Sequence, residues 1–263
     1  MKLIGNVWTV LLLLVAVSGI ACTASSPARD PAEVEGPARV EMTTVEEHAE
    51  QFNTDVPVRE AGSQEEQAAA SYITGTLQRN GYLVRLEAVP VGDLVSSSNL
   101  IGQPPGGELP QVIVTVAYGT DGDGDSDGLA LGLFLELARA LNVEEPDHQV
   151  FFVGLGAEDA EAEGGYLGSR RLAQMMTDED WDPLVVQLID ITEGGQLGAS
   201  GDRADEFIEA MTATTGPFVE FDPGSVTVEV DVFARAGFES LLVTGDAEKL
   251  SEVLLDYLRR FTG

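Results

Sequence analysis

The run Val112-Ile113-Val114-Thr115-Val116-Ala117-Tyr118 is continuous, mostly apolar and rich in β-branched residues, with Pro110 before it and Gly119 after it. A strand wet on one face alternates polar and apolar residues, whereas an unbroken run belongs to a strand covered on both faces. Two further runs of this kind occupy residues 149–155 and 184–191. Between them, residues 129–141 are apolar nearly all round, which places that helix deep in the domain, and residues 164–176 have helical spacing. Upstream, Ser63 and Glu66 form a capping box ahead of a helix that stops at Asn80-Gly81, and residues 82–89 alternate as a half-buried strand. Downstream come a short helix over 205–211, an extended stretch over 226–232, a short strand over 240–243 and an amphipathic helix over 247–261. Strands alternating with helices predict an α/β protein, a three-layer α/β/α arrangement whose mixed, mostly parallel sheet is covered on both faces. In such sheets a ligand site forms where strands end and loops begin.

The chain carries 45 Asp and Glu against 14 Lys and Arg, a formal net charge of −31. A nucleic-acid binder working through phosphate contacts needs a basic face, so that class is excluded. With 44% hydrophobic residues there is ample material for a core, so the acidity does not imply disorder. The acid excess has two readings: a solvated surface of the salt-adapted, halophilic kind, or carboxylates that converge on a cation.

Met1-Lys2, a leucine-rich apolar stretch and the small residues Ser18-Gly19-Ile20-Ala21 form a three-part export signal. Cys22, the single cysteine, stands at its end and cannot form an internal disulfide. It looks like the lipid acceptor of a bacterial lipoprotein, although Gly19 stands where such a signal usually has leucine. A conventionally cleaved signal or an uncleaved anchor are the alternatives. The expected layout is a lipoprotein signal over 1–22, a flexible tether over 23–58 marked by Pro27, Pro31 and Pro37, and an α/β domain over 59–263. Part of residues 45–52 has the pattern of a short leading helix. The expected location is the cell envelope outside the cytoplasm, with a membrane held through the lipid anchor.

The loops after the buried runs carry the candidate chemistry. Residues 120–128 contain Asp123, Asp125 and Asp127 followed by Gly128, which resembles the opening of a calcium loop. The match fails at the loop's last ligand position, where Phe134 stands, and a solvated turn is the plainer reading. Glu158-Asp159 ends the second run; such a pair can divide labour between general base and metal ligand, or lie exposed at a helix N-terminus. Asp190 lies inside the third apolar run and needs a partner, a cation or an exit to water. The imidazoles, His48 and His148, fall away from these loops.

In order along the chain, Arg59-Glu60-Ala61-Gly62-Ser63, Ser98-Asn99-Leu100-Ile101-Gly102, residues 135–141, residues 151–159, Gly168-Ser169 and Phe233-Ala234-Arg235-Ala236-Gly237-Phe238 resemble the clan MH di-zinc aminopeptidases. That group includes secreted leucine aminopeptidases and glutaminyl cyclases. The resemblance runs from about Arg59 to the C-terminus and implies a zinc-exopeptidase fold. It puts Glu158 at the general-base position and Asp159 and Asp190 at metal-ligand positions. The family's first histidine falls on Ala117, its bridging aspartate on Gly124 and its final histidine on Val230, so both imidazoles and the bridge are replaced. Zinc needs about three protein ligands, usually nitrogen-rich, which two carboxylates do not supply. The preferred expectation is therefore a catalytically degenerate domain, with no cofactor, that acts by binding a protein or peptide. A slip that brings Asp123 or Asp125 into the bridging position would instead leave an all-oxygen site favouring Ca²⁺, Mg²⁺ or Mn²⁺ over zinc, with Glu158 as base; zinc or Ca²⁺/Mg²⁺ at a residual carboxylate site is the alternative to no cofactor. A calcium-binding surface domain is the third reading.

Overall fold

The computed structural model describes residues 38–106, 108–120, 127–144, 149–160, 164–215, 219–220 and 230–261. Cys22, Asp123, Gly124, Asp125 and His148 lie outside the described residues.

Among the described residues eight strands form one mixed sheet. In chain order they are β1 (Leu83–Val91), β2 (Val95–Gln103), β3 (Val112–Ala117), β4 (Val150–Leu155), β5 (Leu184–Thr192), β6 (Gly198–Gly201), β7 (Val219–Glu220) and β8 (Ser240–Asp246). Their order across the sheet is β1-β2-β4-β3-β5-β8-β6-β7. The centre, β4-β3-β5-β8, is parallel, while β2 against β4 and β6 against β8 are antiparallel. The helices are α1 (Met42–Asp55), α2 (Gln64–Arg79), α3 (Asp127–Glu144), α4 (Leu167–Asp178), α5 (Ala204–Thr215), α6 (Val230–Ala236) and α7 (Ala247–Arg260).

The continuous apolar runs do what two-sided burial requires. Val112, Val114 and Val116 point into one core with Leu131, Phe134 and Leu254, while Ile113 points into the other with Leu172 and Phe233. Phe152 and Val186 go to the first core, and Phe151, Val153 and Val185 to the second. A period of two with no polar half thus builds a middle layer with helices on both sides. Helices α1, α2, α3 and α7 supply the first core; α4 and α6 supply the second. This is the expected three-layer α/β/α arrangement.

Residues 42–55, expected to lie in a tether with a short helix over part of 45–52, form α1. Val45, Ala49 and Phe52 recur at helical spacing and are buried. They dock on α3 at close range: a methyl group placed on Gly132 would lie 2.3 Å from the Val45 carbonyl oxygen. Of the extended stretch expected over 226–232, residues 226–229 lie outside the described residues, and Val230-Asp231-Val232 instead open α6, where Phe233 is fully buried and packing overrides the alternation. Strand β2 has no apolar signature in Val95-Ser96-Ser97-Ser98, yet it is paired on both edges and buried in its second half.

Candidate functional site at the strand ends

A cleft of about 180 Å³ opens where β3 and β4 end, with Arg59, Ala61, Thr120, Ala157 and Asp159 in its lining. Arg59 builds one wall. It leaves the connection between α1 and α2 with its side chain fully buried; Nε donates to the Tyr118 carbonyl at 2.6 Å and Nη1 to the Val56 carbonyl at 2.8 Å. The Thr120 amide donates back to the Arg59 carbonyl at 3.1 Å, so one residue staples the end of β3 to the N-terminal helices. Hydrogen bonds from Nε and Nη1 offset part of the cost of burying the guanidinium.

Beneath that wall the Ser63 cap forms as its spacing predicts, while the return bond from Glu66 goes one residue further back. Ser63 Oγ accepts from the Glu66 amide at 2.9 Å, and Glu66 reaches back to the Gly62 amide at 2.6 Å. The other Glu66 oxygen accepts a hydrogen bond from the Ser97 hydroxyl, which ties α2 to β2. Glu66 is therefore a buried structural carboxylate.

The far wall comes from β4. Directly after the strand, Ala157 adopts φ +55°, a left-handed conformation that costs an alanine roughly 1–2 kcal/mol. The kink sends the next side chain inward. Glu158 is 2% exposed, with Oε1 accepting from the Ser169 amide at 2.6 Å and Oε2 from the Ser169 hydroxyl at 2.8 Å. Those donors belong to the first turn of α4, where unsatisfied amides favour a carboxylate. Only glycine at 168 permits the approach: a Cβ there would lie 2.7 Å from Glu158 Oε1 and 2.3 Å from the Gly156 carbonyl. Asn99 closes the arrangement, donating to the Gly168 carbonyl at 2.8 Å and accepting from the Gly156 amide at 3.2 Å. Burial raises the Glu158 pKa most; the Ser169 and Gly168 donors pull it down, Asp159 pushes it up, and it settles at about 7.

The acidic pair is thus split, neither two exposed acids nor a paired ligand set. Glu158 is buried and Asp159 is exposed on the cleft rim. Asp190 takes the exit to water: a bulge between Leu188 and Ile191 interrupts the β5–β8 register, and Asp190 sits on it with φ +45° and an exposed side chain. Its carbonyl accepts from the Thr244 hydroxyl at 3.1 Å. Ala117 is the last residue of β3, paired with Leu155. Val230 is the first residue of α6. His48 stands on α1, where its Nδ1 shares a hydrogen bond of 2.7 Å with the Tyr72 hydroxyl.

These positions bear on a metal. Among the described residues no three His, Cys, Asp or Glu side chains are grouped to hold an ion. Both oxygens of Glu158 are taken by Ser169, and a methyl group ends β3. The described residues do not fit a zinc ion, which needs about three ligands around one point. Sequence pattern alone had missed the roles of Ser169 and Asn99; both stand within motifs that carry the family resemblance, which was their one available signal.

No protein-family model matches the sequence, and no curated protein matches it. Solved structures do match in fold. A leucine aminopeptidase precursor from Bacteroides thetaiotaomicron superposes with a TM-score of 0.73 at 14% identity, over 85% of this chain and 98% of that one. The glutaminyl cyclase of Tannerella forsythia gives 0.68 at 14% identity, over 85% and 100% of the two chains. A zinc aminopeptidase from Bacillus subtilis gives 0.68 at 12% identity, over 80% and 86%. The chain has the fold of the clan MH zinc peptidases. Among the described residues no helix is long and apolar enough to cross a membrane.

Proposed function

We propose that this zinc-exopeptidase fold serves in an exported, lipid-anchored domain that has lost metal chemistry and acts by binding a peptide or protein. The observation that carries this reading is the disposition of Glu158. A general base must aim a free oxygen at the water it deprotonates. Here both oxygens accept from Ser169, the side chain is 2% exposed and does not line the cleft, and the neighbouring strand β3 ends in Ala117. The cleft itself survives, with a buried Arg59 wall and the exposed Asp159 carboxylate on its rim. Export and attachment through Cys22 follow the signal pattern at the N-terminus. The acid excess fits a salt-adapted exterior.

One observation favours a second reading, a metal-dependent hydrolase with a carboxylate-rich site built from Asp123, Asp125, Asp159 and Asp190. A carboxyl that titrates at about 7 is matched to base catalysis near neutral pH. Its hydrogen bonds to Ser169 weigh against it. Assays of amino-acid anilide hydrolysis and of N-terminal glutamine cyclisation, with Zn²⁺, Mn²⁺, Ca²⁺ or Mg²⁺ added, separate the two. The binding reading expects no turnover above buffer with any metal. Turnover that Glu158→Gln abolishes would establish the hydrolase instead.

A further inference from the structure

Strand β1 ends the sheet on one side: it pairs with β2 along its nine residues, and among the described residues no strand lies beyond it. Its outer edge offers backbone donors and acceptors to a further strand. Two large apolar side chains stand exposed on it, Leu83 at 56% and Leu86 at 60%. Its two charged residues share the face turned to α4, where Arg85 Nη1 donates to Glu179 at 3.1 Å and Glu87 accepts from Arg171. Open edges are usually guarded by charge and by proline, and Arg85, Glu87 and Pro90 are guards of these kinds. Such guards turn away strands that cannot match them.

A second copy of β1 matches all three in a single register. A two-fold axis normal to the sheet makes the strands antiparallel and keeps α4 of both copies on one face, so the axis passes through a residue. With the axis at Leu86, Arg85 of each copy faces Glu87 of the other, Leu86 faces Leu86, and Val84 faces Ala88. Opposite charges directly across a strand pair stabilise it, and like charges destabilise it. An axis at Arg85 or Glu87 sets like charges face to face, and an axis at Val84 or Ala88 leaves each charge opposite an uncharged residue. With the axis at Leu86 the paired stretch is Leu83–Val89, and Pro90 falls just beyond it, where its missing amide donor is not needed.

We propose that two copies of this chain associate through β1, antiparallel about Leu86, and so extend the sheet across a two-fold axis. The charge of −31 on each chain opposes the contact, so association strengthens as salt screens the two surfaces from one another. The edge lies apart from the cleft, and the proposal stands whether or not the cleft binds a ligand.

The test is sedimentation equilibrium of the purified full chain in about 0.1 M and about 1 M sodium chloride, with a dimer that tightens at the higher salt expected. Leu86→Lys sets two ammonium groups together on the axis and should weaken dimerisation about tenfold or more. Leu86 is exposed, so this variant should melt with the parent, which separates lost pairing from lost folding. Arg85→Glu or Glu87→Arg alone should weaken the dimer to a similar degree. Arg85→Glu/Glu87→Arg together restores opposite charges across the axis and should return the dimer to within about threefold of the parent. Each swap also breaks a pair within its own copy, to Glu179 or Arg171, so recovery in the double variant reports contact between copies. Register is read by disulfide cross-linking under mild oxidation in a Cys22→Ser background. Leu86→Cys should cross-link, its two copies facing each other at about 5 Å between Cα atoms, whereas Ala88→Cys should not, with about 13 Å between its copies along the strands. A monomer at both salt concentrations would overturn the proposal. So would a dimer unaffected by Leu86→Lys, a double swap no better than the single ones, or equal cross-linking at the two positions.

Discussion

Glu158 shows how one side chain's surroundings decide between catalysis and structure. Its acid form is favoured by burial, and its partner Ser169 can donate to a carboxylate or accept from a carboxylic acid. The sign of the pH dependence follows. An acid whose pKa rises from the ordinary 4.5 to about 7 on folding contributes stability that is fully present below 4.5 and lost as pH climbs through 7. Glu158→Gln keeps the acceptor for the Ser169 amide and offers a donor to its hydroxyl, imitating the protonated acid. The variant is expected to be more stable than the parent at pH 8 by up to about 3 kcal/mol and nearly equal to it at pH 4, in urea titrations at the two values. A variant less stable than its parent at pH 8 would show that the carboxylate is held by charge rather than burdened by burial. The acid pair was legible in the sequence, but its split was not. Nothing in Gly156-Ala157-Glu158-Asp159 announces that Ala157 turns left-handed, or that Glu158 is buried while Asp159 is exposed.

Among the elements, α1 was read only in part, as a short leading helix within 45–52. Proline and charge around it suggested a tether, because the apolar positions Val45, Ala49 and Phe52 are few and widely spaced. Their partner is what makes them a docking face: α3 presents Gly128 and Gly132 to the backbone of α1, and the helices approach closer than side chains would allow. Gly132→Val should therefore push α1 away. Hydrogen exchange is expected to rise sharply over residues 42–55 while strands β3 and β5 keep their protection. Uniform loss of protection across the sheet would mean that α1 is integral to the fold's cooperativity rather than a docked element. Strand β2 was hidden for the opposite reason. Its serines are poor strand formers, and pairing with β1 and β4 overrides their preference. The central strands were legible because two-sided burial leaves an unambiguous apolar run; the short outer strands β6 and β7 leave no such trace.

For the whole molecule, the charge of −31 is a cost to compactness as well as an aid to solubility. Few cations offset it, and several of the described ion pairs are exposed, where each is worth little. The melting temperature is expected to climb steadily as salt rises from about 0.1 M to 1 M, where screening shortens from roughly 10 Å to 3 Å. A melting temperature that is flat or falling in salt would contradict an acidic surface held under self-repulsion. The architecture places a cleft at the ends of β3 and β4, and the function proposed for it is binding without metal chemistry. The most direct test of that claim is the zinc content of protein folded and purified with zinc supplied throughout, then dialysed against metal-free buffer. The account predicts far less than one zinc per chain and a melting temperature unmoved by added zinc. One or more tightly held zinc ions per chain, released by Asp159→Asn or Asp190→Asn, would contradict it.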